Sequence, residues 1–323
     1  MNAPPIQTRP KAPLAAEDRV AVLLALYNGA AMVEDQLASI AFQSHRNWAL
    51  IVSDDGSSDD GPARVRAFAR ADPAHDVTLV AGPRAGFAAN FLWLLRAAGP
   101  SVPFAALSDQ DDVWLPEKLA RALAALARVP PGRPALYGGR TTICDADLRP
   151  LRPSPLFRRP PGFGNALVQS IAGGNTMVLN RAALDLAQAA SRRTGHITAH
   201  DWWLYQLVSG AGGTVIYDPE PMTLYRQHGR NAIGAGDTLA ASATRIWQVL
   251  NGRFRGWNEA NLSALAAARP WLTPSAQEQL AAFARARTGP LRARLRALRR
   301  SGASRQTRRG HAALYLAAAL GRL

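Results

Sequence analysis

Apolar and polar positions alternate between two rhythms along the first two-thirds of the chain. Residues 19–26 form a short apolar run suited to a strand buried on both faces, and residues 32–42 carry apolar positions at helical spacing. The pair recurs three times, as strand 48–52 with helix 62–71, strand 77–80 with helix 88–97, and strand 103–107 with helix 116–128. Strict alternation predicts a mostly parallel central sheet flanked by helices, because parallel neighbours need a crossover and the crossover helix packs back on the sheet.

Beyond residue 128 the rhythm loosens. Pro130, Pro131 and Pro134 break the pattern, residues 135–143 read as a strand, and residues 148–164 form a Pro- and Arg-rich loop with no regular period. A strand at 177–179, a helix at 181–193, a short helix at 201–209 and a late strand at 214–217 follow. From residue 238 the chain is rich in Ala, Leu and Arg and reads as helical. The expected organisation is a disordered leader at 1–18, an α/β domain at 19–237 and a basic helical region at 238–323.

Composition narrows the classes. Of 323 residues, 48% are hydrophobic, enough for a large domain with an appendage. No run approaches the roughly 18 apolar residues of a membrane-spanning helix, and the Pro-rich start lacks the apolar centre of a signal peptide, so a cytoplasmic protein is expected. A single cysteine, Cys144, excludes an intrachain disulfide framework and a cysteine-based zinc cluster.

The formal charge of +15 is concentrated at one end. From Gln279 onward there are 11 Arg and no Asp or Glu, which leaves 27 basic against 23 acidic residues, or +4, on everything before. Leu291, Leu295 and Leu298 repeat at helical spacing among Arg292, Arg294, Arg296, Arg299 and Arg300. A basic amphipathic helix of this kind suits an anionic membrane surface at the inner face of the cell membrane; a solvated helix packed on the domain is the equal alternative. Nucleic acid is not expected as a partner, since no aromatic residues interleave the arginines.

Candidate chemistry gathers where strands end. Asp109-Gln110-Asp111-Asp112-Val113-Trp114 places three carboxylates within four residues directly after an apolar strand. Like charges this close need open water or a cation, and hard carboxylate oxygens suit Mg²⁺ or Mn²⁺ shared with substrate phosphates. The first strand ends in Leu26-Tyr27-Asn28-Gly29 and the second in Asp54-Asp55-Gly56-Ser57-Ser58-Asp59. Tyr27 can flank a base and Asp55 can accept the imide N–H of a pyrimidine, although the second motif also reads as a capped turn. The glycine-rich phosphate cradles of dinucleotide-binding and P-loop proteins are absent from the sequence.

These motifs, followed by His200-Asp201-Trp202-Trp203 and Tyr225-Arg226-Gln227-His228-Gly229-Arg230-Asn231, resemble in order and spacing a family-two inverting glycosyltransferase of the rhamnosyltransferase-like branch. The resemblance runs from about Arg19 to Gly234. It implies the GT-A nucleotide-diphospho-sugar transferase fold with a C-terminal helical extension, a dTDP- or UDP-sugar donor with dTDP-rhamnose first, a divalent cation, and a saccharide or lipid-linked acceptor. By the same resemblance Leu26, Tyr27, Asn28, Asp54, Asp55, Arg84, Asp109 and Gln110 would hold the nucleotide. Asp111 would contact the metal, Asp109 either the metal or the ribose or sugar, His228 would be a further ligand, and Arg226 would contact the diphosphate. Asp112, Trp114, Gly173, Gly174, Asn175, His200 and Trp202 would surround the sugars, with Asp201 as the base. Two departures stand out: His200 replaces the Glu common before the catalytic Asp, and Ala30 replaces the Glu common after Tyr-Asn-Gly. A nucleotidyltransferase and a non-catalytic scaffold that binds membrane through the Arg-rich tail are the rival readings.

Overall fold

The computed structural model describes residues 18–227 and 253–323. Nearly all of the expected leader, the helix expected at 238–252, and His228 lie outside the described residues. The first half follows the predicted alternation: β1 (Val20–Leu26), α1 (Val33–Ala41), β2 (Trp48–Asp54), α2 (Gly61–Ala71), β3 (Asp76–Ala81), α3 (Phe87–Ala97) and β4 (Phe104–Ser108). Then come β5 (Val113–Trp114), α4 (Lys118–Leu126), β6 (Ala135–Gly139), β7 (Thr142–Cys144), β8 (Pro150–Pro153), α5 (Phe163–Ala166), β9 (Val178–Asn180), α6 (Arg181–Ser191), α7 (His200–Gly210), β10 (Thr214–Asp218) and β11 (Thr223–Arg226). Four helices close the chain: α8 (Arg253–Ala267), α9 (Pro274–Ala286), α10 (Leu291–Arg300) and α11 (Arg308–Ala319).

A seven-stranded sheet in the order β10-β6-β9-β4-β1-β2-β3 forms the centre. All its pairs are parallel except those of β9, which runs antiparallel to both β4 and β6. Every residue of β1 except the half-buried Ala25 is buried, as a strand covered on both faces requires. One face packs α1, α2 and α4 around Leu24, Leu37, Leu50 and Leu119; the other packs α3, α6 and α7 around Leu23, Phe91, Leu184 and Trp203.

The structure corrects two expectations. Residues 135–143 make two strands in two different sheets, and the loop at 148–164 contains β8. A second, four-stranded sheet, β5-β11-β7-β8, lies outside the parallel repeat. Its strands are only two to four residues long, too short for an alternating pattern to be seen in sequence.

The C-terminal helices share a third core with the α/β part. Phe163, Leu167 and Trp202 pack with Phe254, Leu272, Phe283, Leu298 and Leu314. Burying side chains of this size stabilises by about 1.5–3 kcal/mol each, so these helices are held chiefly by apolar contact.

Candidate active site

Parallel register brings the candidate motifs to one edge. Leu26 at the end of β1 pairs with Asp54 at the end of β2, and Leu24 pairs with Ser108 at the end of β4. The turns that follow therefore emerge side by side, the usual ligand position of an open α/β sheet. They line a cavity of about 1320 Å³, larger than the roughly 300–1,000 Å³ of a single small-ligand pocket.

At one end of this cavity the protein satisfies its own polar groups. Asn28 sits at a left-handed φ of 49°; its N–H donates to Ser57 Oγ at 2.9 Å, and its Oδ1 accepts from Ser58 N at 2.8 Å. Asp59 accepts from Ala30 N at 2.8 Å, so a carboxylate from the second turn holds the first turn. Asp55, 7% exposed, accepts from Gly86 N at 2.8 Å and Ala85 N at 3.3 Å and so fixes the Arg84 loop, where Arg84 has a left-handed φ of 55°. The Gln110 amide clamps the Tyr27 backbone, accepting from its N at 2.7 Å and donating to its O at 2.9 Å. Gly29 makes that clamp possible, because a Cβ there would stand 2.3 Å from Gln110 Oε1. Tyr27 itself is 57% exposed and free to meet a ligand.

Deeper in, carboxyl groups crowd one another. Asp109, Asp111 and Asp201 line the same cavity. Burial, then the charges of Asp111 and Asp201, push the Asp109 carboxyl up to about 8. Burial also lifts Asp201 to about 6, partly offset by the Trp202 N–H that donates to its Oδ1 at 2.7 Å. The neighbouring His200 is 4% exposed and stacked on Phe91 at 3.8 Å between ring centroids. Burial holds its imidazole down to about 3, so it is neutral, and neither ring nitrogen has a hydrogen-bond partner among the described residues. Gly174 receives this ring: a Cβ there would lie 2.0 Å from His200 Nε2.

The acidic loop divides its carboxylates. Asp109 and Asp111 face the cavity, whereas Asp112 is fully buried beneath it, bonded to Asn175 Nδ2 and to the Arg226 backbone N–H. Burial first, and then the Asp111 and Asp109 charges, raise Asp112 well above the ordinary carboxylate range. Such an oxygen-only donor set, under mutual repulsion, fits a hard divalent cation. Among the described residues no three His, Cys, Asp or Glu side chains gather as a complete protein cage, which leaves room for phosphate and water ligands.

Several residues expected at the sugars or phosphates sit elsewhere. Trp114 is buried in the core with Lys118 Nζ 3.6 Å from its ring centre, and Trp202 is buried with its Nε1 donating to Ala166 O at 2.6 Å; neither lines the cavity. Bulky aromatic rings gain more from burial than from a wet wall, and a sequence pattern does not distinguish the two. The Arg226 guanidinium is occupied: it donates to Asp35 Oδ2 at 2.6 Å, Ala146 O at 2.8 Å and Asp111 O at 3.1 Å. It therefore ties α1, the β7–β8 turn and the acidic loop together instead of facing a diphosphate. Asp54 closes its own turn by accepting from Ser57 N at 2.9 Å and does not line the cavity. Leu26, Arg84, Gly173 and Asn175 do line it.

The far wall was not anticipated. Pro155, Phe157, Ile171, Ala172 and Tyr225 give that end an apolar surface, Phe157 against Tyr217 of the edge strand, and Phe87 adds a ring beside His200. They come from four separate stretches, and only Tyr225 belongs to one of the quoted motifs. For Phe87 the local signal was Gly86 before a helical run.

Comparisons with known proteins agree with this geometry. The family model described as glycosyl transferase family 2 matches residues 21–182, half of the chain, and so includes Tyr27, Asp55 and the acidic loop. The dTDP-rhamnosyl transferase RfbG of Shigella flexneri is 27% identical over 247 residues, covering 72% of this chain and 81% of that protein. Among solved structures, the mannosyltransferase PcManGT from Pyrobaculum calidifontis, in complex with GDP-Man and Mn²⁺, superposes with a TM-score of 0.51 at 21% identity, over 98% of this chain and 91% of that one. S. aureus TarS 1-349, in complex with UDP-GlcNAc, gives a TM-score of 0.51 at 13% identity, over 88% and 89% of the two chains. The fold is thus GT-A, and the protein belongs to glycosyltransferase family 2.

Proposed function

We propose that this glycosyltransferase moves a sugar, rhamnose from dTDP-rhamnose first and a hexose from a UDP-sugar second, to a hydroxyl of a saccharide or lipid-linked acceptor in surface polysaccharide synthesis. The likeness to RfbG supports the first choice of donor. The observation that carries the reading is the shared cavity: Asp109, Asp111 and Asp201 line it together with Tyr27 and Asp55. Tyr27, Asn28, Asp55 and Arg84 would hold the nucleotide, with the Asp55 carboxylate still able to accept a pyrimidine imide N–H on its remaining lone pairs.

A divalent cation, Mg²⁺ or Mn²⁺, held by Asp111, with Asp109 on the metal or on the ribose, would neutralise the negative charge that develops on the leaving diphosphate. Asp201 takes the acceptor's proton as its oxygen attacks the anomeric carbon from the face opposite the diphosphate, so the configuration inverts. The C–O bond to phosphate breaks, and the electron pair leaves with the nucleoside diphosphate. A carboxyl lifted to about 6 is well matched to this task near neutral pH, since it is ionised yet basic. His200, neutral and against Gly174, narrows the sugar end.

A thermal-shift screen of dTDP- and UDP-sugars with and without Mn²⁺ tests the reading. The expected outcome is a rise in melting temperature for one donor that needs the metal. A flat response across all donors in both conditions would remove the proposal.

A further inference from the structure

The arginine excess is not confined to the tail. Residues 148–184 contain five Arg and no Asp or Glu, and residues 279–323 contain 11 Arg and no Asp or Glu. The fold joins these two acid-free stretches. Arg159 N donates to Gln306 Oε1 at 3.0 Å, Arg159 NH1 to Arg305 O at 3.0 Å, and Gln306 Nε2 back to Arg159 O at 3.1 Å. Asn165 Nδ2 donates to Ser304 O at 2.7 Å, and Gln306 N to Gln169 Oε1 at 3.0 Å. The loop after β8 is thereby fastened to the turn between α10 and α11.

Around that joint Arg158, Arg299, Arg300, Arg308 and Arg309 are exposed, and none of their guanidinium groups has a hydrogen-bond or ion-pair partner among the described residues. Apolar side chains accompany them. Leu151 is 60% and Leu156 37% exposed beside the loop, and Leu291, Leu316 and Leu320 are 47%, 59% and 54% exposed along the α10–α11 hairpin. The same loop supplies Ser154, Pro155 and Phe157 to the far wall of the cavity.

We infer that the loop after β8 and the α10–α11 hairpin form one surface that seats on an anionic lipid bilayer, with the far end of the cavity next to the membrane. Unpaired arginines supply attraction to acidic headgroups, and exposed leucines supply insertion, the combination of an interfacial contact. Leucines without stacking aromatics favour lipid over nucleic acid. No helix of the described residues is long and apolar enough to cross a membrane, so the contact is with the surface. The placement of the cavity rests on the proposed transfer to a lipid-linked acceptor; the bilayer contact itself does not.

Flotation of the full chain with vesicles tests the contact independently of any activity. At about 0.1 M salt the protein should float with vesicles of phosphatidylcholine containing 30% phosphatidylglycerol and stay in solution with phosphatidylcholine alone. Each arginine near such a surface is worth roughly fivefold in binding. R299E/R300E and R158E should therefore each weaken binding, by at least about twentyfold and fivefold, while circular dichroism and melting stay as in the parent. L316S/L320S should also weaken it. Equal binding to neutral vesicles, unchanged binding of R158E and R299E/R300E, or tighter binding to a single-stranded oligonucleotide than to anionic vesicles at the same salt would each overturn the inference. If vesicle binding holds while no donor shifts the melting temperature, the surface stands and the transfer reading falls.

Discussion

The two ends of the cavity solve opposite problems. Where Asn28, Asp55, Asp59 and Gln110 meet, nearly every polar group is used by a neighbouring turn, and the site is held in shape before any ligand arrives. Where Asp109 and Asp201 meet, half-buried carboxyls stand against one another's charge, and the His200 ring next to them has no hydrogen-bond partner among the described residues. The first region spends its polarity on rigidity. The second stores an electrostatic cost that a cation or a donating hydroxyl can relieve, which is how a reacting centre differs from a frame.

The largest effect should come from removing the carboxylate proposed as the base. Asp201→Asn is expected to lower kcat by roughly 10²–10⁴-fold while the thermal midpoint holds or rises, because an amide does not pay the desolvation of a charge. Turnover measured beside melting would break the contrast if activity and stability fell together. Next in size, Gly29→Ala should force the Gln110 amide off Tyr27, costing about 1–3 kcal/mol of stability and raising donor KM more than it lowers kcat. A mutant with parental KM would mean that the rigid end does not depend on this clamp.

The smallest effect sharpens the comparison through pH. His200 is held near 3 in the fold against an ordinary value near 6.5, so below 6.5 the unfolded chain takes up a proton that the folded one refuses. Stability should therefore fall as pH drops. Between pH 7 and 5.5 the parent should lose about 1 kcal/mol more than His200→Gln in urea melts. Parallel losses would show that the ring is protonated without cost.

Much of the frame could be read from the sequence because it rests on period. The strand and helix of each early repeat were placed to within a few residues, and β1 shows the burial that its unbroken apolar run implied. Tyr27, Asp55, Asp109, Asp111 and Asp201 could be named because each follows the end of a strand or opens a helix. Trp114, Trp202 and Arg226 could not be placed in the same way. A side chain's identity states what it can bond to but not which way it points, and here the two rings turn inward while the guanidinium finds Asp35, far away in sequence.

The sequence by itself determined the alternating sheet, the edge at which chemistry sits and the concentration of positive charge in the last 45 residues. Those properties follow from local periodicity and composition. Tertiary structure alone decided which carboxylate of the acidic loop is buried, that β6 and β7 part into different sheets, and that two acid-free stretches meet beside the far wall of the cavity. Each of these depends on contacts between residues distant in the chain, for which no local pattern exists.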